Sequence, residues 1–311
     1  MAGFSARKLL GALVLGLGIA SAAQASPYTG MYVFGDSLSD IGNVYTATGA
    51  TVPPFPYYEG RFSNGPTYAE DLAGKLGLTL APSVLGGNNY AWGGATAGPG
   101  STVSVPSLGD QVATYRALPG AADAGALYVL WAGGNDLRAN PTAAGIGAAL
   151  NGISGAMQGL YAEGARNFLV MNLPNLGLTP ESRANNVSAA ATAGSATFNS
   201  YFNGMIAGLQ GNLVGSNIRT LDTFALISSI AANPAGAGLS NVTDACLGVS
   251  TICANPDKYL FWDGIHPTAA GHRLIADAAF NVLAVPEPET YALMLAGLGL
   301  LAARARRRQT H

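Results

Sequence analysis

An apolar run from Met31 to Phe34 stops at Gly35 and delivers Asp36-Ser37-Leu38-Ser39-Asp40. A strand covered on both faces reads as an unbroken apolar run, and a parallel sheet presents its functional residues just beyond the carboxyl ends of such strands. The stretch therefore asks for a covered parallel sheet and makes Ser37 a candidate nucleophile. A serine hydroxyl is a weak nucleophile until a base takes its proton and donors hold the oxyanion that follows. The rest of the chain must supply those groups.

The chain has three histidines. His311 belongs to a terminal tail described below, which leaves His266 and His272. Asp263-Gly264-Ile265-His266-Pro267 places a carboxylate three residues before His266, with a glycine between them to let the loop bend. Such a loop can bring the carboxylate onto Nδ1 and leave Nε2 free to accept the serine proton. Taken alone, the pair reads equally well as a helix cap beside a packed histidine. His272 has no acidic partner nearby and falls within the helical pattern that begins at Pro267, which predicts a residue on the helix surface.

Two further stretches each read as a strand ending in a Gly-Gly turn: Asn89-Tyr90-Ala91-Trp92-Gly93-Gly94-Ala95-Thr96, and Leu127 to Trp131 followed by Ala132-Gly133-Gly134-Asn135-Asp136. Glycine allows close backbone approach, so the Gly94 amide can point at a substrate oxygen while the Asn135 side-chain amide does the same. With the Ser37 amide this makes three oxyanion donors. Each turn by itself also fits a plain tight connection.

Together these stretches resemble the SGNH, or GDSL-type, esterases and lipases, whose serine, glycine, asparagine and Asp-x-x-His blocks follow one another in this order. Gly60-Arg61-Phe62-Ser63-Asn64-Gly65-Pro66, Asn172-Leu173-Pro174-Asn175-Leu176-Gly177 and Phe261-Trp262-Asp263-Gly264-Ile265-His266-Pro267-Thr268 are similar too. The likeness runs from about residue 30 to residue 283. It implies an α/β fold, a three-layer α/β/α sandwich on a mainly parallel, five-stranded, flavodoxin-like sheet. It also implies a catalytic triad of Ser37, Asp263 and His266, an oxyanion hole of Ser37, Gly94 and Asn135, and an ester substrate. Simple carboxylic esters, lipids and acetylated polysaccharides all remain open as substrates.

Both chain ends read as addresses. Arg7 and Lys8 precede an apolar stretch from Leu9 to Ala20, and Ala23-Gln24-Ala25 supplies a small-x-small cleavage pattern, so residues 1–25 read as a signal peptide. At the other end Val285-Pro286-Glu287-Pro288-Glu289-Thr290 leads into an apolar stretch from Tyr291 to Ala303 and then Arg304-Ala305-Arg306-Arg307-Arg308. This three-part order resembles the PEP-CTERM sorting signal of Gram-negative bacteria, which implies an exosortase as processing partner, membrane contact through residues 286–311 before processing, and export to the cell surface or beyond. A plain C-terminal anchor is the other reading. Residues 26–285 then form one hydrolase domain.

That domain keeps nine Lys and Arg against fifteen Asp and Glu, a formal charge of −6, which argues against nucleic acid as a partner. The signatures Gly-x-Ser-x-Gly, Gly-x-Gly-x-x-Gly, Walker A and His-Glu-x-x-His do not occur, so neither a nucleotide cofactor nor a catalytic metal is expected. Cys246 and Cys253, the two cysteines of the chain, are free to pair in an oxidising compartment. Closing so short a loop contributes about 2 kcal/mol in the chain-entropy model and would firm the approach to Asp263; free thiols are the alternative.

Alternating patterns predict strands at 31–35, 88–92, 126–132, 166–172 and 217–222, and helices at 67–76, 107–117, 142–163, 183–213 and 267–283. Asp110, Gln111 and Tyr115 fall on helix surface in this reading. The proline-rich segment from Val44 to Tyr58 predicts an irregular apolar rim over the site. Two alternatives accompany the esterase: a surface-displayed matrix-binding protein that keeps the fold without chemistry, and a polysaccharide O-deacetylase.

Overall fold

The computed structural model describes residues 27–99, 105–120 and 122–283, together with Gly297. The expected leader, and the sorting tail apart from Gly297, lie outside the described residues. In chain order the main elements are β1 (Met31–Gly35), α1 (Asn43–Ala47), α2 (Tyr68–Lys75), α3 (Leu108–Arg116), β2 (Leu127–Trp131), α4 (Gly134–Ala139), α5 (Ala143–Glu163) and β3 (Asn167–Met171). They continue with α6 (Pro180–Ala184), α7 (Ser188–Asn212), β4 (Asn217–Leu221), α8 (Thr223–Ala232), β5 (Asn241–Ala245), β6 (Tyr259–Phe261) and α9 (Ala269–Leu283).

The main sheet is parallel throughout, in the order β1-β2-β3-β4, with Met31 beside Leu127 and Gly35 beside Trp131. Its side chains alternate between two covered faces. Phe34, Tyr128, Leu130, Phe168 and Val170 pack with apolar residues of α3, α5 and α7, whereas Met31, Val33, Val129, Leu169 and Met171 pack with those of α2, α8 and α9. Burial on both faces is why these strands read as unbroken apolar runs. The result is the expected α/β/α sandwich.

The expected count of five strands needs correction. Residues 88–92 do run alongside β1: Val33 N–H donates to the Asn88 carbonyl, Tyr90 N–H to that of Val33 and Trp92 N–H to that of Gly35. They make an isolated bridge at Val33–Asn89 rather than a strand. The chain there is held as much by its side chains, with Asn88 donating to the Met31 carbonyl and Asn89 to that of Ser39. A small parallel pair, β5 and β6, and the helices α4 and α8 went unread in the sequence. The helix expected at 183–213 is two helices, separated at Asn185–Val187, where Asn186 takes a left-handed φ of 57°. Among the described residues no helix is long and apolar enough to cross a membrane.

The chain leaves β1 toward one edge, through residues 88–92, and returns for β2 on the other side. A crevice opens at such a switch point beyond the strand ends. Gly35 fixes the exit from β1, since a Cβ there would run into the Trp131 backbone carbonyl.

Two residues expected on the surface of α3 are buried instead. Gln111 grips Gly35, its Oε1 accepting the Gly35 N–H at 2.9 Å and its Nε2 donating to the Gly35 carbonyl at 2.8 Å. Tyr115 sits among Tyr32, Phe34, Tyr90 and Tyr128. Asp110 alone is exposed, as N3 partner in the Ser107 capping box. Polar side chains that satisfy backbone groups have no need of water, so polarity misled the surface reading. Gln111→Ala leaves the buried Gly35 N–H without its partner and is expected to lower the unfolding free energy by about 1–3 kcal/mol, measurable by urea denaturation.

Candidate active site

Ser37 follows β1 by two residues, buried beneath the crevice at 8 % exposure. His266 Nε2 lies 2.8 Å from its Oγ. On the far side of the ring, His266 Nδ1 lies 2.6 Å from Asp263 Oδ2. Asp263 Oδ1 accepts the Ile265 and His266 N–H groups at 2.8 and 2.7 Å, so a tight turn holds the carboxylate against the imidazole. Burial works against the charge of Asp263. The His266 ring and the two backbone donors outweigh it and pull the carboxyl down to about 2.

Of the expected oxyanion donors, Ser37 and Asn135 line one cavity with His266, and Asn135 is tied to the residue after Gly94. Gly94 takes a left-handed φ of 81° and is exposed, and neither its N–H nor that of Ser37 donates to another group among the described residues. Asn135 Nδ2 gives one hydrogen to the Ala95 carbonyl at 2.8 Å, which ties the turn after β2 to Gly94 and leaves the other hydrogen free. Ser37, Asn135 and His266 line one small cavity of about 60 Å³, walled by Leu38, Trp131, Leu176 and Ile265.

Other carboxylates brace these turns. Asp40, fully buried, accepts the N–H groups of Gly42, Asn43, Val44 and Gly93, joining the loop that carries Ser37 to the Gly93-Gly94 turn. Asp136 accepts those of Ala97 and Gly98. Ser63 Oγ donates to the Pro267 carbonyl, and Asn64 Oδ1 accepts the Ala269 N–H at the start of α9, so the Gly60–Pro66 block fastens the histidine loop. Asp36, also buried, accepts one N–H, that of Leu38, and burial pushes its carboxyl up to about 6.

Cys246 and Cys253 form a disulfide. Cys246 N–H donates to the Phe261 carbonyl and Leu247 N–H to that of Trp262, so the closed loop lies against the residues leading into Asp263. Among the described residues no cluster of His, Cys, Asp and Glu could hold a metal ion.

Two sequence readings need correction. His272 is fully buried rather than on the surface of α9; its Nδ1 accepts the Tyr68 N–H at 3.1 Å, and its Nε2 has no partner among the described residues. The helix turns this position toward α2, where two helices bury their shared face. The proline-rich segment meets the site from behind: Tyr57 Oη donates to Asp263 Oδ2 at 2.7 Å and stands edge-on to Phe62 and Trp262, whereas the walls around Ser37 come from other elements. Tyr57 carried no sequence signal, because its partner is 206 residues away.

The family described as GDSL-like Lipase/Acylhydrolase matches residues 31–279. The chain belongs to that family. A PEP-CTERM protein-sorting motif matches residues 284–309. Esterase EstA of Pseudomonas aeruginosa PAO1 is 30 % identical over 88 % of this chain and 50 % of its own. The phosphatidylcholine-sterol acyltransferase of Aeromonas hydrophila is 28 % identical over 87 % of this chain and 94 % of its own. The chain spans about half the length of several curated relatives that it matches. Among solved structures, a lipolytic protein of the G-D-S-L family from Veillonella parvula aligns with a TM-score of 0.47 at 13 % identity, over 82 % of this chain and 98 % of its own.

Two measurements follow from this GDSL-family site. Tyr57→Phe keeps the ring and removes one of two donors to Asp263 Oδ2, which loosens the carboxylate's hold beside the imidazole. A loss of kcat/KM of about threefold to tenfold is expected, read from steady-state kinetics on an ester substrate. Burial, and less so the charge of His266, push the His272 imidazole down to about 3 from its ordinary 6.5. The unfolded chain therefore binds this proton at higher pH than the folded one, and stability falls as pH drops from 6.5 toward 3. His272→Gln lacks this term, so wild type is expected to lose stability relative to the variant across that window, on the order of 1 kcal/mol per pH unit, in denaturant titrations at several pH values.

Proposed function

We propose that this chain is an exported serine ester hydrolase that cleaves carboxylic esters through an acyl-enzyme on Ser37. The observation that carries the reading is the unbroken chain Ser37 Oγ, His266 Nε2, His266 Nδ1, Asp263 Oδ2, with contacts of 2.8 and 2.6 Å, at the floor of an apolar cavity. Membership of the GDSL family and relatives named as an esterase and an acyltransferase support it.

In this mechanism Ser37 Oγ attacks the carbonyl carbon while its proton passes to His266 Nε2. The carbonyl oxygen becomes an oxyanion, held by the Ser37 and Gly94 amides and the Asn135 side chain. The intermediate collapses as His266 returns the proton to the departing alkoxide, leaving an ester on Ser37. A water then attacks with His266 as base, the same donors hold the second oxyanion, and the carboxylic acid leaves. Asp263 fixes the tautomer with the proton on Nδ1 and stabilises the imidazolium; it stays ionised throughout, since its carboxyl titrates at about 2.

The sorting motif supports export and an exosortase as the partner that processes the C-terminal segment. The disulfide suits an oxidising compartment. No nucleic-acid partner is proposed.

Ser37→Ala is expected to abolish hydrolysis of a p-nitrophenyl ester and labelling by a fluorophosphonate, with an unchanged far-UV spectrum; full residual activity would end the reading. Asp263→Asn is expected to cut kcat/KM by up to ~10⁴-fold, as loss of the orienting carboxylate does in serine triads.

A further inference from the structure

Phe62, half-buried in the Gly60–Pro66 block, meets three parts of the site at once. Its ring centroid stands 5.4 Å from that of His266, with the two planes tilted by 35°. Its edge packs on the buried Gly93, where an added Cβ would fall on the Phe62 Cε2 and Cζ atoms. On a third side it lies edge-on to Tyr57, whose hydroxyl donates to Asp263. The backbone that carries the ring has little play. Arg61 N–H donates to the Tyr58 carbonyl and Tyr58 N–H to that of Ser63, while Ser63 and Asn64 are bonded to the chain just after His266. The main chain of this block is thus fastened to the histidine loop, and the Phe62 side chain reaches across to the glycine turn.

We propose that Phe62 is a positioning residue of this site: its ring sets the spacing between His266 and the Gly93-Gly94 turn, so that the base and an oxyanion donor meet the same substrate carbonyl. The inference rests on the esterase reading above. Gly93 N–H donates to Asp40 Oδ2 at 2.9 Å, which anchors the peptide before Gly93. The ring packed on the Gly93 Cα limits the tilt of the next peptide, the one that carries the Gly94 N–H. A phenyl ring has a fixed outline and two side-chain torsions, so neighbours on its face and on its edge are held at a set distance. The same contact explains the first glycine of the pair. Gly94 takes a left-handed φ and Gly93 does not, so backbone freedom is not what asks for glycine at 93; the space filled by Phe62 is.

The test is a double-mutant cycle in the intact chain, read as hydrolysis of p-nitrophenyl acetate. Phe62→Leu keeps an apolar side chain and removes the flat ring; kcat and kcat/KM are expected to fall together by about tenfold to a hundredfold, with KM held within about twofold. Gly93→Ala approaches the contact from the turn. Its methyl displaces the ring, with Val44 Cγ2 next at 3.2 Å, and kcat is expected to fall by about tenfold. In the double variant leucine leaves room for that methyl, so kcat is expected to be no lower than in Phe62→Leu alone, whereas independent effects would multiply. Urea denaturation of each variant shows that the rates are taken on folded chains, which separates misplacement from unfolding. Should Phe62→Leu fail to fold, Phe62→Met takes its place in the cycle. A kcat within about twofold of wild type in the folded Phe62 variant overturns the proposal, as does a loss confined to KM, or losses that multiply in the double variant. Absence of hydrolysis by the wild type together with absence of fluorophosphonate labelling at Ser37 overturns the esterase reading itself and takes this inference with it.

Discussion

The position of Ser37 follows from the backbone of Gly35, which is held from three directions. The parallel ladder sets it beside Trp131, Gln111 of α3 takes both its N–H and its carbonyl, and Trp92 N–H reaches the same carbonyl from the opposite edge. Those bonds come from three separate parts of the chain. With both amide groups fixed, the two residues that follow have little freedom, and the serine emerges where the sheet changes direction. Catalytic groups need placement to within about half an ångström, and a strand end clamped in this way provides it without spending the serine's own hydrogen bonds.

Carboxylates in the loops around the site do most of the remaining alignment, and they fall into two kinds. Asp40, Asp136 and Asp263 each accept at least two backbone N–H groups, so each stitches loops distant in sequence or tightens its own turn. Asp36 accepts a single N–H and sits deep, and its carboxyl rises to about 6. Ionising it is costly, so it opposes His272 in the pH dependence of stability. As pH climbs through about 4 to 6, Asp36 removes stability while neutral His272 restores it.

The proposed site residues Ser37, Gly94, Asn135, Asp263 and His266 stand out in the sequence because each sits in a local pattern: a strand that ends, a Gly-Gly turn, a carboxylate three residues from an imidazole. The sandwich was legible because strands covered on both faces cannot hide their apolarity. Gln111, His272 and Tyr57 were not. Each is a polar residue whose partner is fixed only by tertiary folding, at sequence separations of 76, 204 and 206 residues. Periodicity places such residues on an element and is silent on what the element meets. The missing fifth strand has a similar origin, since asparagine side chains took over hydrogen bonding that a ladder would otherwise carry.

Ser37 and His266 stand 229 residues apart in sequence. Bringing two such points together costs on the order of 5 kcal/mol of chain entropy by itself. Their hydrogen bond contributes far less than that, so it cannot organise the fold and depends on the packing that brings both residues together. On the proposed mechanism Ser37 meets its base only in the folded chain. A reagent that reacts only with a serine so activated would then count native molecules, and the site would serve as a titre of completed folding.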